Sequence, residues 1–144
     1  MDKQTYEEFL EKYGTMTYSN VGVSMMPLLK QGRDLFTVRK KGKERCKKYD
    51  VVLYRRPPSH YVLHRVIQVR RRDYVILGDN CVSKEYGITD RDIIGVMTGF
   101  VHKGKKHTVD EFGYRLYSHL WVDFAPARVF VKRAVTKLAR MVKR

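Results

Sequence analysis

The chain has 144 residues, enough for one domain with a real core, and 43% apolar residues with ten tyrosines exclude a disordered polymer. A formal charge of +15 directs attention to acidic partners: nucleic acid, anionic lipid or an acidic peptide. Cys46 and Cys81 have neither metal-ligand spacing nor a disulfide framework, so both are read as free thiols, and no metal or cofactor is expected.

In chain order, Tyr6, Phe9, Leu10 and Tyr13 recur at helical spacing, which predicts a short helix over residues 3–13 closed by Gly14. With four acidic residues and no apolar run of 7–15 residues, this end is not expected to be a signal peptide. Segments 34–39, 51–55, 60–70, 73–77 and 93–101 are rich in Val, Ile, Tyr and Phe and separated by turn signals, among them Pro57-Pro58 and Gly78-Asp79-Asn80. They predict strands joined by short connections, hence a mainly β fold: a coiled antiparallel sheet or partial barrel. The lysine-rich piece 40–48 reads as a solvated excursion.

From Ala127 onward the period is helical again. Ala127, Phe130, Val131, Ala134, Val135, Leu138, Met141 and Val142 share one arc. The seven basic residues after Asp123 share the other, and no acidic residue follows Asp123. The organisation expected is a helix over 1–14, a β domain over 15–112, and an aromatic linker with a cationic amphipathic helix over 113–144. No apolar run reaches the ~20 residues of a membrane span. The expected location is cytoplasmic, with the tail lying on an anionic membrane surface or docked on its own sheet. Nucleic acid is disfavoured as a partner, because no helix-turn-helix precedes residue 24 and the tail has an apolar face.

One stretch carries chemistry: Gly22-Val23-Ser24-Met25-Met26-Pro27-Leu28-Leu29, followed by Gly32-Arg33-Asp34. It exposes one serine on an apolar, turn-rich segment. Serine needs a base to take its proton. The candidates are His60, His64, Lys30 and the lysines of 40–48; His64 lies mid-strand between Val62 and Val66, where burial would keep it neutral. Read alone, the plainer reading of Ser24 is a turn serine, and that of His64 a core histidine bonded to a backbone carbonyl. Asp79 is the first choice to orient the histidine, with Glu85, Asp90 and Asp92 just beyond; its plain reading is a turn residue.

In order, these pieces resemble the signal peptidase I superfamily, which includes the self-cleaving LexA-type repressors. Ser24-Met25-Met26-Pro27-Leu28 resembles the nucleophile box and Gly32-Arg33-Asp34 the Gly-x-Asp after it. Asp50-Val51-Val52-Leu53-Tyr54 is similar to the Gly-Asp-Val-Val strand, with Tyr49 replacing the glycine. His64-Arg65-Val66-Ile67 resembles the general-base box, Gly78-Asp79-Asn80 the Gly-Asp-Asn box, and Ile94-Gly95 the closing strand. The resemblance spans about residues 21–101. It implies the signal-peptidase or LexA C-terminal fold and a serine endopeptidase with Ser24 as nucleophile and His64 as base, as in the endoplasmic-reticulum and sporulation-type enzymes. The third member is Asp79 or Glu85, and the substrate is an extended peptide or protein segment with small residues before the cut. Gly22 stands where many signal peptidases carry an oxyanion-binding serine, leaving the backbone amides of Ser24 and Val23. The N-terminal anchor usual in that family is not expected here. The alternative is a weakly active or inactive peptide-binding module of the same fold, tethered by its basic tail. Deleting 127–144 is expected to release the protein from membranes while leaving cleavage nearly unchanged.

Overall fold

A computed structural model describes residues 5–57 and 60–143. Residues 3 and 4 of the expected first helix, Pro58 of the expected turn and Arg144 of the tail lie outside them. Helix α1 (Tyr6–Tyr13) starts where the Thr5 hydroxyl accepts the Glu8 N–H at 3.1 Å, with Glu7 and Glu8 in its positively polarised first turn. It ends at Gly14, whose φ of 76° is a left-handed conformation that glycine adopts without strain, and whose N–H returns to the Leu10 carbonyl.

The described residues form eight strands: β1 (Thr15–Ser19), β2 (Leu35–Lys40), β3 (Val51–Arg56), β4 (His60–Val69), β5 (Tyr74–Leu77), β6 (Glu85–Ile88), β7 (Ile93–His102) and β8 (Lys105–Thr108). They form one open antiparallel sheet in the order β1-β2-β7-β3-β4-β5-β6, with β8 added beside β7. The mainly β expectation holds at this level. The five expected strands are β2, β3, β4, β5 and β7; β1, β6 and β8 are additional. Alternation along β3 explains its apolar run. Val51 and Leu53 join one buried cluster with Leu10, Met25 and Leu29, while Val52 and Tyr54 join a second with Val66, Tyr74 and Ile76. The 40–48 excursion is mostly exposed, but Cys46 is buried in the second cluster, its N–H donating to the Tyr74 hydroxyl at 3.0 Å.

The expected aromatic linker is instead helix α2 (Phe112–Asp123), and α3 (Ala125–Val142) begins two residues earlier than the periodicity places it. The linker reading fails because α2 carries large apolar residues on both sides, so no single face stands out. Its inward side is pinned by a buried ion pair. Arg65 and Asp79 side chains are each 1% exposed and bond bidentately, Nε to Oδ1 at 2.8 Å and Nη2 to Oδ2 at 2.9 Å. Arg65 also donates to the Tyr114 and Ser118 hydroxyls, and Asp79 accepts from the Tyr117 hydroxyl at 2.7 Å. The Trp121 indole donates to the Asp79 carbonyl at 2.6 Å. Each polar atom of the pair is thereby bonded, which is what a desolvated ion pair requires.

Two registers position the site. Val52 pairs with His64, and Arg65 pairs with Leu77, so Gly78-Asp79-Asn80 leaves the sheet beside His64. The long β1–β2 connection meets it there, where the Asn80 N–H donates to the Ser24 carbonyl at 2.8 Å.

Candidate active site

Ser24 lies in a turn anchored on both sides. Met25 and Leu29 are fully buried in the first core cluster, and the Leu29 N–H closes on the Met25 carbonyl at 2.9 Å. Gly22 takes a φ of 81°, and the buried Asn20 amide donates to the Gly22 and Leu29 carbonyls. Asp34, the acid of Gly-x-Asp, closes the connection. It is 1% exposed and accepts from the Lys30 and Lys103 amides and from Arg33. The Arg33 hydrogen bonds hold its carboxyl far below the ordinary aspartate value. From the opposite side, Asn80 grips the turn twice: its N–H on the Ser24 carbonyl and its side-chain amide on the Val23 carbonyl at 3.0 Å. The amides of Val23 and Ser24 have no protein acceptor among the described residues.

His64 is 8% exposed. Its Nδ1 lies 3.3 Å from the Tyr54 hydroxyl, and that hydroxyl donates to Glu85 Oε1 at 2.6 Å. Burial first, and the bond to Glu85 second, raise the Tyr54 phenol above its ordinary value, so it keeps its proton. That one proton is committed to Glu85, so the Tyr54 oxygen accepts from His64 Nδ1–H. The unprotonated nitrogen is then Nε2. Arg56 completes the network with bonds to Glu85 at 2.5 and 3.2 Å. Burial raises the Glu85 carboxyl, but the bonds from Arg56 and Tyr54 outweigh it and hold it below the ordinary glutamate value. Burial, then the Arg56 charge, lower His64 to about 4, against the opposing pull of Glu85 and Asp79. The imidazole is neutral at pH 7.

Gly78 is the point where the pieces converge. A methyl group there would stand 2.9 Å from His64 Nε2, 2.9 Å from the Ser24 carbonyl oxygen and 2.6 Å from Cys81 Sγ. Glycine at this position therefore lets the His64 strand and the Ser24 turn approach each other. Ser24 and His64 line one cavity of about 640 Å³, together with Glu85, Arg56, Cys81 and Lys132, with no hydrogen bond between the two side chains. Lys132, from α3, donates through Nζ to the Asn80 carbonyl and to Asn80 Oδ1.

Of the four residues singled out in the sequence, Ser24 and His64 face a common cavity, and Glu85 reaches His64 through Tyr54. The Asp79 carboxylate is engaged by Arg65 and Tyr117 and makes no hydrogen bond to His64. His60 is exposed, and His102 bonds the Leu28 carbonyl and Asp34, outside the cavity. Sequence reasoning passed over Tyr54, Arg56 and Lys132. Tyr54 had a signal, since it shares a strand face with Val52, the register partner of His64. Lys132 had none, being one cation among many on the tail. Compared with known proteins, the chain matches no family model, no curated protein and no solved structure.

Proposed function

We propose that this chain is a serine endopeptidase of the signal-peptidase type, in which Ser24 attacks a peptide carbonyl and His64 Nε2 takes its proton. The observation that carries the reading is the hydrogen-bond chain around His64: Nδ1 beside the Tyr54 oxygen, the Tyr54 hydroxyl on Glu85, and Nε2 facing the Ser24 turn, an order that assigns the ring proton to Nδ1. A base needs that tautomer, and a third group to hold it. Glu85, acting through Tyr54, takes that part. The direct Ser24–His64 bond forms as substrate fills the cavity, since such bonds are commonly long before binding.

In the acylation step Ser24 Oγ bonds to the carbonyl carbon while Nε2 accepts the hydroxyl proton. The oxyanion faces the unbonded amides of Ser24 and Val23. The imidazolium then protonates the leaving amine as the C–N bond breaks, and water, deprotonated by the same nitrogen, releases the acyl group. The substrate is an extended segment lying along β1, which among the described residues pairs with β2 alone and leads directly into the Ser24 turn. The sequence boxes, met in the family's order, support the same family and the same fold type.

The test is labelling by a fluorophosphonate probe, located by mass spectrometry. Wild type should label at Ser24, Ser24→Ala should not label, and His64→Ala should label about 10²–10⁴-fold more slowly with its fold intact. A folded wild type that does not label would establish the peptide-binding module instead.

A further inference from the structure

A basic amphipathic helix attached to a water-soluble domain ordinarily buries its apolar face and shows its charges to water. Helix α3 does the reverse. Arg128, Lys132 and Arg133 point inward and donate to the carbonyls of Cys81, Asn80 and Val82, three consecutive residues of the loop after β5. The other side of the helix is left without cover: Phe130, Val131, Val135, Leu138, Met141 and Val142 are 58–84% exposed.

Helix α2 repeats the arrangement. Its inward residues are tied to Arg65 and Asp79 as described, while Phe112, Leu116, Leu120 and Phe124, spaced every fourth residue, are 48–80% exposed. Of fifteen exposed large apolar residues among those described, ten lie on these two helices or on the single residue joining them. A concentration of this kind marks a contact surface, whereas singly scattered apolar residues need no explanation.

The charges around it select the occupant. Between residues 112 and 143 there are seven Lys and Arg and one acid, Asp123, which bonds the Tyr49 hydroxyl. Wound at 3.6 residues per turn, Lys137 borders the apolar strip on α3 and Arg140 lies further round, on the arc of Arg133. Lys137, Arg140 and Lys143 make no ion pair with any described residue. A second copy of the chain would bring the same cations to a two-fold face that offers one acid, already bonded, and each copy carries +15. A bilayer with acidic headgroups answers both features, taking the apolar strip into its acyl boundary and the flanking cations at its phosphates.

We propose that the outward faces of α2 and α3 together form a docking surface for an anionic lipid bilayer, with both helices lying in the headgroup layer. The surface is independent of the peptidase reading, because its test needs no cleavage.

The test is co-sedimentation of the full chain with vesicles of phosphatidylcholine alone, or with about a third phosphatidylglycerol, at low and high salt. Binding should require the anionic lipid and weaken with salt. Lys137→Gln with Arg140→Gln should weaken it on the order of 30-fold at low salt. Leu138→Glu with Val135→Glu on α3, and Leu116→Glu with Leu120→Glu on α2, should each weaken it at least about tenfold. These positions are exposed, so thermal melting should be unchanged. A full chain that ignores anionic vesicles would overturn the proposal. So would binding that survives either apolar pair, since both helices are claimed, or a self-associated species that Leu138→Glu dissociates without any vesicle binding.

Discussion

His64 carries two consequences of one burial. Held neutral down to about pH 4 in the folded protein, it would protonate near 6.5 in the unfolded chain. Between those values the unfolded state binds more protons, so the His64 contribution to stability falls as pH drops from 6.5 toward 4 and is flat above 6.5. The loss amounts to about 3 kcal/mol over that window. His64→Gln should remove it, which melting curves at pH 7 and pH 4.5 will show as a smaller acid shift in the variant. If His64 is the proposed base, the same displacement sets its working range: the Ser24 labelling rate should stay level from pH 8 to about 5 and fall near 4. From sequence alone the fall belongs near ~6.5, the value of an unperturbed histidine. A midpoint at 6.5 would mean that the cavity hydrates the imidazolium well enough to cancel the burial.

At the scale of elements, the pairing of β4, β5 and α2 turns on Arg65 and Asp79. Removing one partner strands a buried charge, so Asp79→Ala should destabilise by about 3–5 kcal/mol and lower the melting temperature by many degrees. Glu85→Gln should barely move the melting temperature, because Glu85 sits at a partly exposed strand end, yet it should slow Ser24 labelling by loosening the Tyr54–His64 order. The reverse pattern would give Asp79 the orienting role. The elements themselves were unequally legible. Strands β3, β4 and β7 announce themselves through apolar runs, since both their faces are covered. Strands β1, β6 and β8 are four or five residues long and rich in Thr, Lys, Glu or Gly, and their neighbours' free hydrogen-bonding edges hold them in place. Helix α2 hid because its two apolar sides cancel any moment: one packs on the ion pair and the other faces outward.

For the whole molecule, the tail and the candidate active site are one mechanical unit. Lys132 holds Asn80, and Asn80 holds the backbone of Val23 and Ser24. Lys132→Ala should therefore slow Ser24 labelling several-fold and speed amide exchange of the Asn80 N–H, with little effect on global melting, as the lost bonds are local. Lys132→Arg should restore part of both. Read as an amphipathic appendage, the tail looks separable from cleavage; the structure ties its inner face to the candidate site through Lys132 and Asn80, and truncating α3 should cost rate as well as membrane binding. Equal labelling by wild type and Lys132→Ala, with unchanged exchange, would return the tail to a separable appendage.

By itself the sequence determined what local pattern and residue chemistry can dictate. That includes a β-rich chain opened by a capped helix, a turn carrying Ser24, a histidine in a strand, and a cationic amphipathic end. These follow from period, turn residues and composition, which act within a few residues of each other. Only the tertiary structure decided between partners far apart in the chain. It set Glu85 on Tyr54, Asp79 on Arg65, Gly78 at the crossing of two segments, and Arg128, Lys132 and Arg133 of α3 on the loop after β5. Each of those choices depends on strand register and on which buried groups must be satisfied, and both are settled when the sheet closes its pairings.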